Sequence, residues 1–71
     1  MSLWARFSLL NQLDVLRLWI GVLINQGYPV KQVFPAKDFH LIENLMKQGK
    51  IVQASCLIDG AFEKLEVMVA E

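Results

Sequence analysis

The chain has 71 residues, carries seven Lys or Arg against seven Asp or Glu, and is 55% hydrophobic. This length fits a single domain over residues 1–71, and the balanced, scattered charge argues against nucleic acid or an anionic membrane surface as a partner. One cysteine excludes an internal disulfide and is typical of a reducing compartment, so we expect the cytoplasm. The apolar share exceeds the roughly 45–50% of soluble domains, which predicts a homo-oligomer, most simply a dimer, whose interface takes the surplus.

The longest uninterrupted apolar run, Leu18 to Ile24, is far shorter than the roughly 20 residues that a membrane-spanning helix needs. We therefore expect no membrane span. No small-x-small cleavage site follows the run, so a secretory signal peptide is not expected either.

The N-terminal third predicts a strand followed by a helix. Residues 2–10 alternate weakly between apolar and polar side chains, which favours a strand, with an N-terminal extension of the helix as the alternative. Asn11 is then the expected N-cap of a helix that runs to about Gln26 and ends at Gly27.

The middle of the chain predicts a short strand and a second helix. Residues 30–34 favour a strand that ends before Pro35, or alternatively a single helical turn. Pro35 to Gln48 favours a helix that stops at Gly49. Its expected inner face carries Phe39, Ile42, Leu45 and Met46, and its outer face carries a Glu43–Lys47 ion pair.

The C-terminal third predicts a β-hairpin over Lys50 to Ala70, because Asp59-Gly60 is the strongest short hairpin signal available. The expected order is therefore β-α-β-α-β-β. This order corresponds to an α+β fold, a small two-layer sandwich with two helices on one face of a mixed sheet and a C-terminal β-hairpin.

Residues that could carry chemistry are few and scattered. His40 is the only histidine and is expected on a solvated helix face, without the three or four ligands that a metal site needs. Cys56 falls on the apolar side of its predicted strand, which favours a buried, inert thiol. Glu63 falls on the same side and is expected to reach water at a strand end. We expect no catalytic residues, no cofactor and no metal, and hence no enzymatic activity.

The first helix offers the best candidate for an interface. Its polar positions form one narrow stripe of Asp14, Arg17, Gly21 and Asn25, so most of its circumference must be covered. The predicted interface residues are Trp4, Leu18, Trp19, Gly21 and Val22.

The stretch Phe7 to Val33 (FSLLNQLDVLRLWIGVLINQGYPVKQV) resembles the opening β-α-β unit of an ACT domain, a regulatory module for small ligands. It departs from that family where Leu13-Asp14 replaces Pro-Gly before the helix and where Pro29 replaces Asn. The predicted element order is also similar to that of small sulfur-carrier proteins, whose Cys-Pro motif is absent here. Neither resemblance implies an activity for this chain.

These observations favour a small non-catalytic, oligomeric regulatory or binding module that binds a partner protein or a small effector at its subunit interface. The alternative is a winged-helix nucleic-acid-binding protein, with residues 35–48 as recognition helix and the hairpin over residues 50–70 as wing. Asp38 and Glu43 on the recognition face make this second function less favoured.

Overall fold

The structure is a computed structural model that describes the backbone of residues 3–71 and the side chains of residues 8–71. Its helices are α1 (Leu3–Asn25), α2 (Val30–Val33), α3 (Ala36–Lys47) and α4 (Ile51–Ala70). None of residues 3–71 lies in a β-strand. The predicted α+β sandwich is therefore wrong, and the described chain is all-α.

Helix α1 begins well before the predicted N-cap. Buried leucines recur along it in steps of three, four and seven residues, which is the spacing of one helix face: Leu9, Leu13, Leu16 and Leu23. The strand predicted over residues 2–10 is wrong for residues 3–10, and the helix extension that was its alternative is what forms. Asn11 is an exposed position inside the helix and caps nothing.

Helix α1 ends where the sequence predicts. Gly27 has φ 90°, a conformation that costs other residues steric strain. Its N–H donates to the carbonyl of Ile24 at 3.0 Å, and the Tyr28 N–H donates to the carbonyl of Leu23 at 3.0 Å. This pair of hydrogen bonds is a Schellman motif, which satisfies carbonyls that the helix end would otherwise leave free.

The second helix predicted from the sequence is also confirmed, as α3. Pro35, extended at φ −66° and ψ 155°, is its N-cap, and Ile42 and Met46 are buried while Phe39 and Leu45 are half-buried. Gly49, at φ 77°, ends it with the same pair of hydrogen bonds that Gly27 makes. The preceding segment, α2, is one helical turn, so the strand predicted over residues 30–34 is wrong and its stated alternative is correct.

The predicted C-terminal hairpin is replaced by the continuous helix α4, which passes straight through Asp59-Gly60. Its buried side chains alternate in steps of three and four residues across the expected turn: Ile51, Ala54, Ile58, Ala61 and Leu65. A turn at residues 59–60 would divide this stripe in two. The helical period therefore prevails over the local turn signal.

Helix α4 is the element around which the others assemble, since it packs against α1, α2 and α3. The four largest fully buried side chains are Leu16, Ile42, Ile58 and Leu65, two of them on α4. Two positions of its stripe are the small residues Ala54 and Ala61, which take up little room between packed helices.

Replacing Gly60 by Ala should stabilise the protein by about 0.5–1 kcal/mol, because alanine is the better helix former and an added β-carbon meets no atom within 4 Å. Gly27→Ala and Gly49→Ala should instead destabilise it by about 1 kcal/mol, because both glycines have positive φ. Urea unfolding followed by circular dichroism measures all three. Loss of stability in Gly60→Ala would contradict a continuous α4.

Truncating Ile58 to Ala should cost about 2–5 kcal/mol, because this side chain has no exposed surface and its removal leaves a cavity. The matched control is Val52→Ala on the same helix, where the side chain is 77% exposed and the change should stay within about 0.5 kcal/mol. Equal effects of the two variants on the free energy of unfolding would contradict the placement of the buried stripe.

Candidate functional site

An exposed apolar face runs along α1 and reaches α4. Val15, Leu18, Trp19 and Val22 line a shallow depression together with Phe62 and Glu66. Leu18 is 73% exposed, and its grouping with the exposed Val15 and Val22 makes this an apolar patch. The rings of Trp19 on α1 and Phe62 on α4 stack with their centroids 5.8 Å apart and their planes inclined by 19°, so they join the two helices at this face.

Three of the predicted interface residues, Leu18, Trp19 and Val22, lie together on this face. Gly21 does not line it; it is exposed, and no atom lies within 4 Å of a β-carbon placed there. The side chain of Trp4 lies outside the described residues. The structure thus brings part of the predicted set onto one surface, and the interface itself stays a prediction.

A second concave surface lies between α1, α2 and the start of α3, and we call it the basic-rimmed pocket. Its volume is about 280 Å³. Its walls are apolar and consist of Ile20, Ile24, Val30, Phe34, Ala36 and Phe39. Three basic side chains, Arg17, Lys31 and His40, complete its lining, and no acidic residue does.

The basic side chains of the pocket are partly held in place by contacts on one wall. The guanidinium carbon of Arg17 lies 5.1 Å from the centroid of the Phe39 ring, a cation–π geometry. Arg17 Nη2 is 3.8 Å from Glu43 Oε2, and His40 Nδ1 donates to Glu43 Oε1 at 3.1 Å. Glu43 therefore contacts these two residues, where the sequence predicted an ion pair with Lys47.

Two aromatic rings in the lining of this pocket, those of Phe34 and Phe39, pack against each other. Phe34 is buried, and its ring meets that of Phe39 at 78° with centroids 6.5 Å apart. Such an edge-to-face pair is a favourable aromatic arrangement. The pocket wall thus has a defined shape under the Arg17 side chain.

Of the side chains that could carry chemistry, the structure contradicts the predicted burial of one. His40 is exposed, as expected. Cys56 is also exposed and is a free thiol, so the prediction of a buried cysteine is wrong. Glu63 faces solvent on α4, and its unexpected place among apolar residues disappears with the hairpin. Among the described residues, no three His, Cys, Asp or Glu side chains are grouped as metal ligands.

The wing that the nucleic-acid-binding alternative requires is absent, because residues 51–70 form a helix. None of the helices described over residues 3–71 is both long enough and apolar enough to cross a membrane.

Comparison with protein-family models, with curated proteins and with solved structures finds no match to this chain. The β-α-β unit by which Phe7 to Val33 resembles an ACT domain is not formed, since this stretch consists of α1, a turn and α2.

Sequence reasoning missed the α4 side of the apolar face and the whole basic-rimmed pocket. The sequence predicts a strand at Phe62, and Arg17, Lys31 and Phe39 lie on three different helices. One signal was available: Val15, Leu18 and Val22 are spaced as one exposed helix stripe, separate from the buried leucine stripe.

Cys56 should react completely with a thiol reagent in the folded protein, because its side chain is exposed on α4. In a Cys56→Ser background, Ala54→Cys is the matched control, since Ala54 is fully buried two residues away. That cysteine should react only after denaturation. Native-state labelling of the variant as fast as that of Cys56 would contradict the orientation of α4.

Proposed function

We propose that this chain is a non-catalytic helical module that forms a homodimer through its exposed apolar face. The observation that carries the proposal is the contiguous surface of Val15, Leu18, Trp19 and Val22, which the described fold leaves open beside the Phe62 ring. Aromatic and large aliphatic side chains grouped in this way mark the core of many protein–protein interfaces.

The sequence of α1 supports a two-fold contact. Asn11, Val15, Leu18, Val22 and Asn25 follow one another in steps of four and three residues, and all are exposed. The residue types therefore read the same in both directions, with Asn11 and Asn25 each seven residues from Leu18 and an apolar middle between them. In an antiparallel pair of α1 helices, Asn11 would lie opposite Asn25 of the partner subunit. Such self-complementarity is what a two-fold interface requires.

A rough estimate of the free energy of association favours a contact that includes more than the apolar residues of this stripe. Full burial of Leu18, Val15 and Val22 would contribute about 1.5–3 kcal/mol each. Association costs an estimated 4–15 kcal/mol in lost freedom of motion. Each subunit contributes these three side chains, all of them already partly covered, so the gain only roughly matches that cost. The rings of Trp19 and Phe62 would add to the gain, and their stacked geometry presents them already ordered.

A different protein with an apolar helix is the alternative partner that this face suits.

The free, exposed thiol of Cys56 is typical of proteins in a reducing compartment, so the cytoplasm remains our proposal for the location of this protein.

We expect the purified protein to sediment as a dimer at micromolar concentration, and Leu18→Asp to convert it to a monomer, because a charge would be buried at the centre of the contact. Val52→Asp is the matched control. Val52 is equally exposed but does not line the apolar face, so this variant should remain dimeric.

A cysteine at the two-fold axis tests the arrangement itself. In a Cys56→Ser background, Leu18→Cys should form a covalent dimer on mild oxidation, whereas Asp14→Cys on the polar stripe should not. A native protein that is monomeric at all concentrations, or a Leu18→Asp variant that dimerises as well as the native chain, would refute the proposal.

A further inference from the structure

We infer that the basic-rimmed pocket is a binding site for a small monocarboxylate with a compact apolar body. The pocket lies on the flank of α1 that carries Arg17 and Ile24, whereas Leu18 and Val22 line the apolar face. The inference does not rest on the proposed dimer, and its test can be performed on a monomeric variant.

The shape and lining of the pocket define the body of the ligand. Its volume of about 280 Å³ lies just below the roughly 300–1,000 Å³ of most small-molecule sites, so the ligand must be small. The walls offer aliphatic side chains from α1 and α2 and the ring of Phe39 from α3. A short alkyl chain or a single aromatic ring would lose its contact with water on these walls, and this transfer favours binding.

The charges define the head group. Arg17 and Lys31 contribute two positive charges to the lining, His40 contributes a third basic group, and no carboxylate lies among the lining residues. Glu43, which does not line the pocket, partly neutralises the charge of Arg17 and accepts a hydrogen bond from His40. Lys31 has no acidic partner among the described ion pairs. A single carboxylate at the pocket mouth supplies the missing negative charge.

Arg17 is placed to act as the anchor of that carboxylate. Its guanidinium is held over the Phe39 ring on one side and near Glu43 on another, so less side-chain freedom is lost when a ligand binds. A guanidinium presents several N–H groups in a plane, and a carboxylate can accept two of them together. Lys31 on α2 then adds a mobile positive charge.

Octanoate and its neutral analogue octanamide test the inference, because they share an apolar body and differ in charge. Titration followed by ¹H–¹⁵N spectra should show saturable shifts of the amides around Lys31 and Phe39 with octanoate. Octanamide should bind about tenfold more weakly, because it carries no negative charge and offers the basic groups one acceptor oxygen where the carboxylate offers two.

Two pairs of variants distinguish the contribution of the basic groups to binding from that of the apolar wall. Lys31→Gln should weaken octanoate roughly fivefold and leave octanamide unchanged, while Lys47→Gln, outside the pocket, should change neither. Ile24→Asp should abolish octanoate binding through repulsion, and Ile24→Asn is its neutral control. Ile24 and Lys31 are both exposed, so these variants should keep the native spectrum.

The same titration on Leu18→Asp should give the native affinity, which distinguishes this site from the proposed dimer contact. Equal affinity for octanoate and octanamide, or saturable shifts that map to the apolar face, would overturn the inference. So would the absence of saturation by octanoate below its aggregation concentration.

Discussion

The buried stripe of α4 is the constraint on which the rest of the structure depends. Burying Ile58 and Leu65 contributes about 1.5–3 kcal/mol each, whereas Gly60 costs a helix about 1 kcal/mol relative to alanine. The stripe therefore outweighs the one residue that most opposes it. Ala54 and Ala61 are the small buried members of the stripe, and α1, α2 and α3 all pack against α4.

Helix α1 serves three surroundings at once, which explains why its polar stripe is so narrow. One face, including Leu16, contacts the core; one flank, including Leu18, is the exposed apolar face; and the opposite flank, including Arg17, lines the basic-rimmed pocket. The apolar residues of the chain thus form two surfaces beyond the core, the exposed apolar face and the basic-rimmed pocket. In our proposals, a second copy of the chain covers the first and a small carboxylate occupies the second.

The candidate surfaces could be predicted only where they follow from one helix. Leu18, Trp19 and Val22 share a helix face by spacing alone, and the structure places them on one surface. The pocket combines Arg17, Lys31 and Phe39 from three elements, and no local pattern relates their positions. The prediction of a buried Cys56 is wrong because a strand, with a period of two residues, and a helix, with a period of 3.6, turn the same residue to different faces.

The sequence by itself determined the ends of α1 and α3, because the positive φ that Gly27 and Gly49 adopt is a demand of the local backbone. It also determined α3, whose apolar period, proline start and glycine stop all agree. Only the tertiary structure decided that α1 extends back to Leu3 and that α4 continues through Asp59-Gly60. Local preferences are weak or conflicting in both segments, whereas Leu9 on α1 and Ile58 and Ala61 on α4 are buried, a gain that appears only when the helices meet.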